Sequence, residues 1–248
     1  AAGALHWRPW VASAIVVMAF AIGVAADRIG GAQRINLLAP PVFALLVWNL
    51  GVYVVLAGGF VIRYGDASNP GLARRLVMRV ASRTRIGHGG SGGARGDAGE
   101  IIGASVAALA ADWLRLAAPL YAVRAARILH FAAAALALGV IAGLYVRGLA
   151  FEYRATWEST FLDAARVHWL LAGLLAPGSM LTGIAMPGAA HLESIRAPAS
   201  ENAATWLHLL AASVLVIVVI PRFLLGIVTG LIERHRAARV ALPLDEPY

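Results

Sequence analysis

Four stretches of this chain run for a membrane's thickness with almost no charge: residues 9–26, 41–62, 128–146 and 203–233. A backbone amide inside lipid finds no water to bond, so a chain can cross only as a helix or as part of a closed barrel. Barrel strands alternate apolar and polar residues over about ten positions. These runs are longer and uniformly apolar, which makes them helices. The expected fold class is therefore all-α: a polytopic helical membrane protein with four transmembrane helices, a surface helix, and a re-entrant or surface-lying helical hairpin. Composition agrees, since charged residues are 14% of 248, against about a quarter in soluble domains.

The first span begins at Trp7, Pro9 and Trp10, with the Trp pair as interfacial anchors. Its Asp27-Arg28 end is a poor cleavage context for a signal peptide, so the segment is expected to be retained. After the second span comes a non-membrane stretch, 63–127. It opens Arg-rich, passes through the Gly-rich linker 86–99, and ends in 101–124, expected to be an amphipathic helix on the inner surface with Asp112 and Arg115 paired at i, i+3. The third span, 128–147, leads into a second non-membrane region, 148–202. Within it, 167–187 is apolar but interrupted by Pro177-Gly178, and reads as half-helix, turn, half-helix. The fourth span, 203–233, is longer than a bilayer needs and must tilt, kink at Pro221 or protrude, and 234–248 forms a tail.

Charge gives the sidedness. All 21 basic residues are Arg. Fourteen lie on one side: Arg8, ten from Arg63 to Arg127, and Arg234, Arg236 and Arg239, with Arg222 near that end of the last span and able to snorkel. The other side holds six Arg balanced by six acids, so the first carries the whole net +8. The positive-inside rule places that side in the cytoplasm. The expectation is a bacterial inner-membrane protein with an even number of spans and both termini inside. Were 167–187 a full span, the Arg-rich tail would be exported, so that segment is expected to lie on the outer surface or to re-enter.

The absence of Lys removes Schiff-base and Walker A chemistry, and the absence of Cys removes zinc-thiolate and c-type haem sites. No catalytic residue and no metal site is predicted. A haem b needs two His at one depth on facing helices. His130 and His208 differ in depth, which leaves His168 and His208 as the only candidates, and interfacial His is the simpler account. Asn49, mid-span and one turn from Tyr53, suits an interhelical hydrogen bond. The densest polar cluster is external: Glu152, Arg154, Trp157, Glu158 and Asp163. A helix there would line Arg154, Glu158 and Asp163 into a salt-bridged ladder beside Trp157 that caps the bundle. Arg74, Arg75, Arg79, Arg83 and Arg85, together with Arg234, Arg236 and Arg239, form a basic surface for anionic lipid head groups or an acidic cytoplasmic partner. In a loop abutting a membrane lipid fits better than nucleic acid, which is not expected as a partner.

The stretch Gly148-Leu-Ala-Phe-Glu-Tyr-Arg-Ala-Thr-Trp-Glu-Ser-Thr-Phe-Leu162 resembles a motif of a proteobacterial membrane family, domain of unknown function 2868. So do Leu174-Leu-Ala-Pro177, Glu201-Asn-Ala-Ala-Thr-Trp-Leu-His208 and Leu242-Pro-Leu-Asp-Glu-Pro-Tyr248. The likeness covers about the C-terminal 100 residues. It implies a membrane partner for a P-loop GTPase, and a cytoplasmic domain beyond Tyr248. It assigns no catalytic residue. Two functions follow as expectations, with a haem b electron-transfer subunit using His168 and His208 as a third and remoter one. One is a non-enzymatic scaffold or adaptor presenting its basic cytoplasmic surface to a soluble partner. The other is an oligomeric channel or transporter with 167–187 as a pore element.

Overall fold

The computed structural model describes residues 9–26, 34–39, 42–65 and 97–238. Their order is α1 (Pro9–Ala25), β1 (Arg34–Asn36), α2 (Val42–Gly65), α3 (Asp97–Ala150), β2 (Arg154–Thr156), α4 (Ala164–Thr182), α5 (Ala189–Ser194), β3 (Glu201–Asn202), α6 (Ala204–Val214) and α7 (Ile220–Ala238). The chain divides into two compact units. Gly51–Pro119 makes one, from the later part of α2 and the start of α3, and the rest of the chain makes the other.

Among the described residues two helical stretches are long and apolar enough to cross a membrane, Ala118–Ala150 with 33 residues and Ala204–Ala238 with 35. At 1.5 Å per residue each is roughly 50 Å long, against about 30 Å of hydrocarbon. The apolar parts of α1 and α2 are shorter. The helix expected over 101–124 is present and is continuous with the third span: both belong to α3, which runs through Pro119 without a boundary between them. The segment is rich in good helix formers, and a single Pro costs less than ending the helix among them.

Ala204–Ala238 absorbs Pro221 differently. A π-helical turn, Leu215–Val219, joins α6 to α7, and the Ile220 N–H reaches the Leu215 carbonyl. Pro221 offers no N–H and its ring crowds the carbonyl four residues back. The wider turn ahead of it changes the hydrogen-bond register and keeps the helix continuous, where a kink was one expectation.

α1 crosses α3 at glycines. A Cβ on Gly23 would collide with the Leu136 carbonyl, one on Gly139 with the Phe20 carbonyl, and one on Gly143 would lie 2.8 Å from the Val24 carbonyl. In lipid, packing replaces the hydrophobic effect as the attraction between helices, and small residues four apart let backbones touch. Gly139 and Gly143 have that spacing.

The expected break at Pro177-Gly178 is also absent. α4 passes through both and ends only at Gly183, in the left-handed conformation (φ 71°), whose N–H bonds the Ser179 carbonyl. The helix survives because tertiary contact stabilises it there. The Gly178 N–H donates to Ser213 Oγ at 3.2 Å, and its bare Cα is pressed against the Leu209 carbonyl. Val167, Leu171 and Leu175 are fully buried on the same face. Residues 183–188 then leave the helix and run back along it, so that the Pro187 carbonyl lies 3.0 Å from His168 Nδ1.

An all-α chain was expected, yet three links pair into a small sheet of order β1-β2-β3. β1 lies parallel to β2 with Ile35 opposite Ala155, and β3 antiparallel with Ala155 opposite Glu201. Strands this short give no alternating signal in the sequence.

Candidate functional site: a polar cap and an ionic ladder

The external cluster is built on β2, and its residues serve the fold. Trp157 is completely buried. Its Nε1 donates to the Leu192 carbonyl at 2.6 Å, and the Arg196 guanidinium sits 5.2 Å from its ring centroid. Thr156 Oγ1 lies 3.1 Å from the Ile195 carbonyl and 2.9 Å from that of Ala199. Arg154 donates to Ser200 Oγ and the Ser200 carbonyl, at 3.0 and 2.9 Å, and meets Glu152 at 3.2 Å. The motif thus ties β2 to the 192–200 segment.

The salt-bridged ladder of Arg154, Glu158 and Asp163 does not exist, because 154–156 is a strand and its side chains alternate between faces. Glu158 is exposed and joins none of these bonds. Asp163 instead caps α4, accepting from the Arg166 N–H at 2.8 Å. Glu201, outside the expected cluster, binds Trp206 Nε1 at 2.7 Å and His191 Nε2 at 2.9 Å.

His168 and His208 are engaged separately, the first at Pro187 and the second by Tyr145, whose hydroxyl is 2.7 Å from His208 Nδ1. Among the described residues no three His, Asp or Glu side chains converge as a metal site.

The second constellation lies between α3 and α7, which run antiparallel. Tyr145 meets His208 of α6 at one end of the pair, and Arg124 meets Glu233 at the other. Arg222 does not snorkel. It is 8% exposed, donates from Nε to Asn49 Oδ1 at 2.8 Å, and holds Nη1 3.3 Å from His130 Nδ1. A guanidinium only donates, so His130 presents a lone pair to it. Asn49 does make the expected interhelical bond, while its Nδ2 donates to the Leu45 carbonyl at 2.8 Å. Three helices therefore share one buried polar knot.

Three turns further along α7, Glu233 is bound twice: Arg124 Nε at 2.7 Å and Arg127 Nη1 at 3.0 Å. Between knot and ladder, Gly226 takes the Phe131 ring and Gly230 the Arg127 stem, whose Cδ would lie 3.3 Å from an added Cβ. Sequence reasoning missed this ladder. One signal was present: Glu233 is the only acid between residues 203 and 238.

Of the expected basic surface, Arg234 and Arg236 are exposed at the end of α7. Arg74, Arg75, Arg79, Arg83, Arg85 and Arg239 lie outside the described residues. Residues 96–248 match a family described as protein of unknown function, DUF2868. No curated protein and no solved structure matches the chain.

Proposed function

This chain belongs to the DUF2868 family, and on that footing we propose that it is a non-enzymatic scaffold of a bacterial inner membrane, which presents a basic cytoplasmic face to a soluble partner, with a P-loop GTPase as the partner class. The observation that carries the reading is the Glu233 ladder. By binding Arg124 and Arg127, Glu233 holds the start of the apolar part of α3 against the end of α7. Arg124 and Arg127 on α3 and the exposed Arg234 and Arg236 on α7 thereby stand at one end of the helix pair.

In this reading α1, α2, Ala118–Ala150 and Ala204–Ala238 are four crossings, the termini are cytoplasmic and the sheet with α4 and α5 caps the outer side. Support comes from the glycine crossing of α1 and α3, and from exposed apolar side chains on every one of these helices, among them Val17, Val54, Leu129 and Leu224, which lipid would cover. Affinity purification from native membranes tests the reading. A soluble protein should co-purify at low salt and be released as salt rises. Recovery of the chain alone at low salt overturns it.

A second reading, an oligomeric channel or transporter, draws on α4 and its extended return, residues 183–188. Non-helical backbone at membrane depth needs protein or water around it, which an oligomer would supply. Flux into liposomes decides, and a closed, monomeric particle sinks this reading.

A further inference from the structure

We propose that the end of α7 carries a specific site for the phosphate headgroup of an anionic phospholipid, formed by Arg127 and Arg234. The inference deepens the scaffold reading and rests on its membrane crossings.

The geometry begins at Gly230. The Arg127 stem lies across it, Cδ being 3.3 Å from where a Cβ would stand, and Arg127 Nη1 is 3.0 Å from Glu233 Oε2. Residue 234 follows Gly230 by four positions, on the same helix face one turn further along. Arg127 Nη1 is 3.9 Å from the position of that added Cβ, so the guanidinium stands over Gly230 and Glu233, within one helical turn of Arg234. Glu233 occupies only one edge of it, and the side chain keeps 34% of its exposure. A guanidinium has five N–H donors in a planar fork that matches phosphate oxygens, so Arg127 retains donors for a second acceptor.

Charge favours an anion. Glu233 is matched by two Arg, and with Arg234 the group nets two positive charges. No other acid lies between 203 and 238, nor between 113 and 151 on α3.

The surface below is apolar. Ile227 and Leu231 share the Gly230–Arg234 face and are 42% and 59% exposed. A cationic tip above an apolar stripe is the pattern of a phospholipid, with phosphate at the Arg pair and an acyl chain along Ile227 and Leu231. The Glu233 ion pair then holds the Arg127 fork in place.

The test is native mass spectrometry of the full chain released from detergent, supplied with phosphatidylglycerol or phosphatidylcholine of identical acyl chains. A phosphatidylglycerol adduct should persist while the phosphatidylcholine adduct does not. Arg234→Gln, which changes an exposed side chain and leaves the ladder intact, should weaken it about fivefold. Adding Arg127→Gln should weaken it about fivefold again. Arg196→Gln in the cap should leave it unchanged. Equal retention of both lipids overturns the proposal, as does an unchanged adduct in Arg234→Gln or displacement by millimolar inorganic phosphate, which would mark a free-phosphate site. The measurement contains no soluble protein, so a failed co-purification and a failed lipid site are separate results.

Discussion

Replacing Glu233 by Gln keeps the side chain's volume and one acceptor oxygen but removes the charge that two Arg share. The carboxylate is 9% exposed; Arg124 Nε donates a hydrogen bond to its Oε1 at 2.7 Å, and Arg127 Nη1 stands 3.0 Å from Oε2 as an ion pair. Arg124 is 17% exposed, so its charge-assisted bond falls in the buried range, about 2 kcal/mol. Arg127 is 34% exposed and solvent screens its share to about 1 kcal/mol. The expected loss is about 3 kcal/mol, at the lower edge of what breaking a buried pair costs. The assay is loss of helical circular dichroism as SDS displaces a mild detergent, read as a midpoint and slope. Arg124→Gln should cost about 2 kcal/mol alone and much less on the Glu233→Gln background, since the shared bond is already gone. A Glu233→Gln protein within about 0.5 kcal/mol of the parent would refute the reasoning, and so would strictly additive effects in the double variant.

Gly139→Leu forces α1 off α3 and should lower stability in the same assay by about 1–3 kcal/mol, whereas Gly51→Leu, with nothing within 4 Å of its Cβ position, should be neutral. Gly178→Val collides with Leu209 and Ser213 and should raise amide exchange throughout α4 while α7 stays protected; unchanged exchange would argue against the α4–α6 contact. Arg222→Met keeps the bulk but leaves buried Asn49 Oδ1 without its donor and should cost about 1–3 kcal/mol by the same SDS titration. Asn49→Leu strips Arg222 of an acceptor and should cost about 2 kcal/mol by SDS titration. Trp157→Phe leaves the Leu192 carbonyl without its donor and should cost about 1–2 kcal/mol by thermal unfolding.

The apolar runs mark the helices, because hydropathy is a local sum that needs no partner, and the Arg distribution raises the expectation of a basic and a neutral side. Asn49 was recognisable as a helix-to-helix bond for the same reason: an amide in an apolar run has to find an acceptor or donor on a neighbour. Gly139 and Gly143 stand four apart in the sequence, but only the packing shows that α1 crosses there. What the sequence left open was always a question of which neighbour. Pro177 reads as a helix breaker, and only Ser213 Oγ against the Gly178 N–H, with Leu209 beside it, makes the unbroken helix the better state. Glu152 to Asp163 reads as a polar helix until β1 and β3 pair with β2 and turn its residues to alternate faces. The two long helices could have met in any rotation. Their packing alone decides that Glu233 faces Arg124 and Arg127, and that Arg222 turns inward to Asn49 and His130. Long-range contact sets helix rotation and depth, and those decide whether an arginine meets lipid, water or an acid.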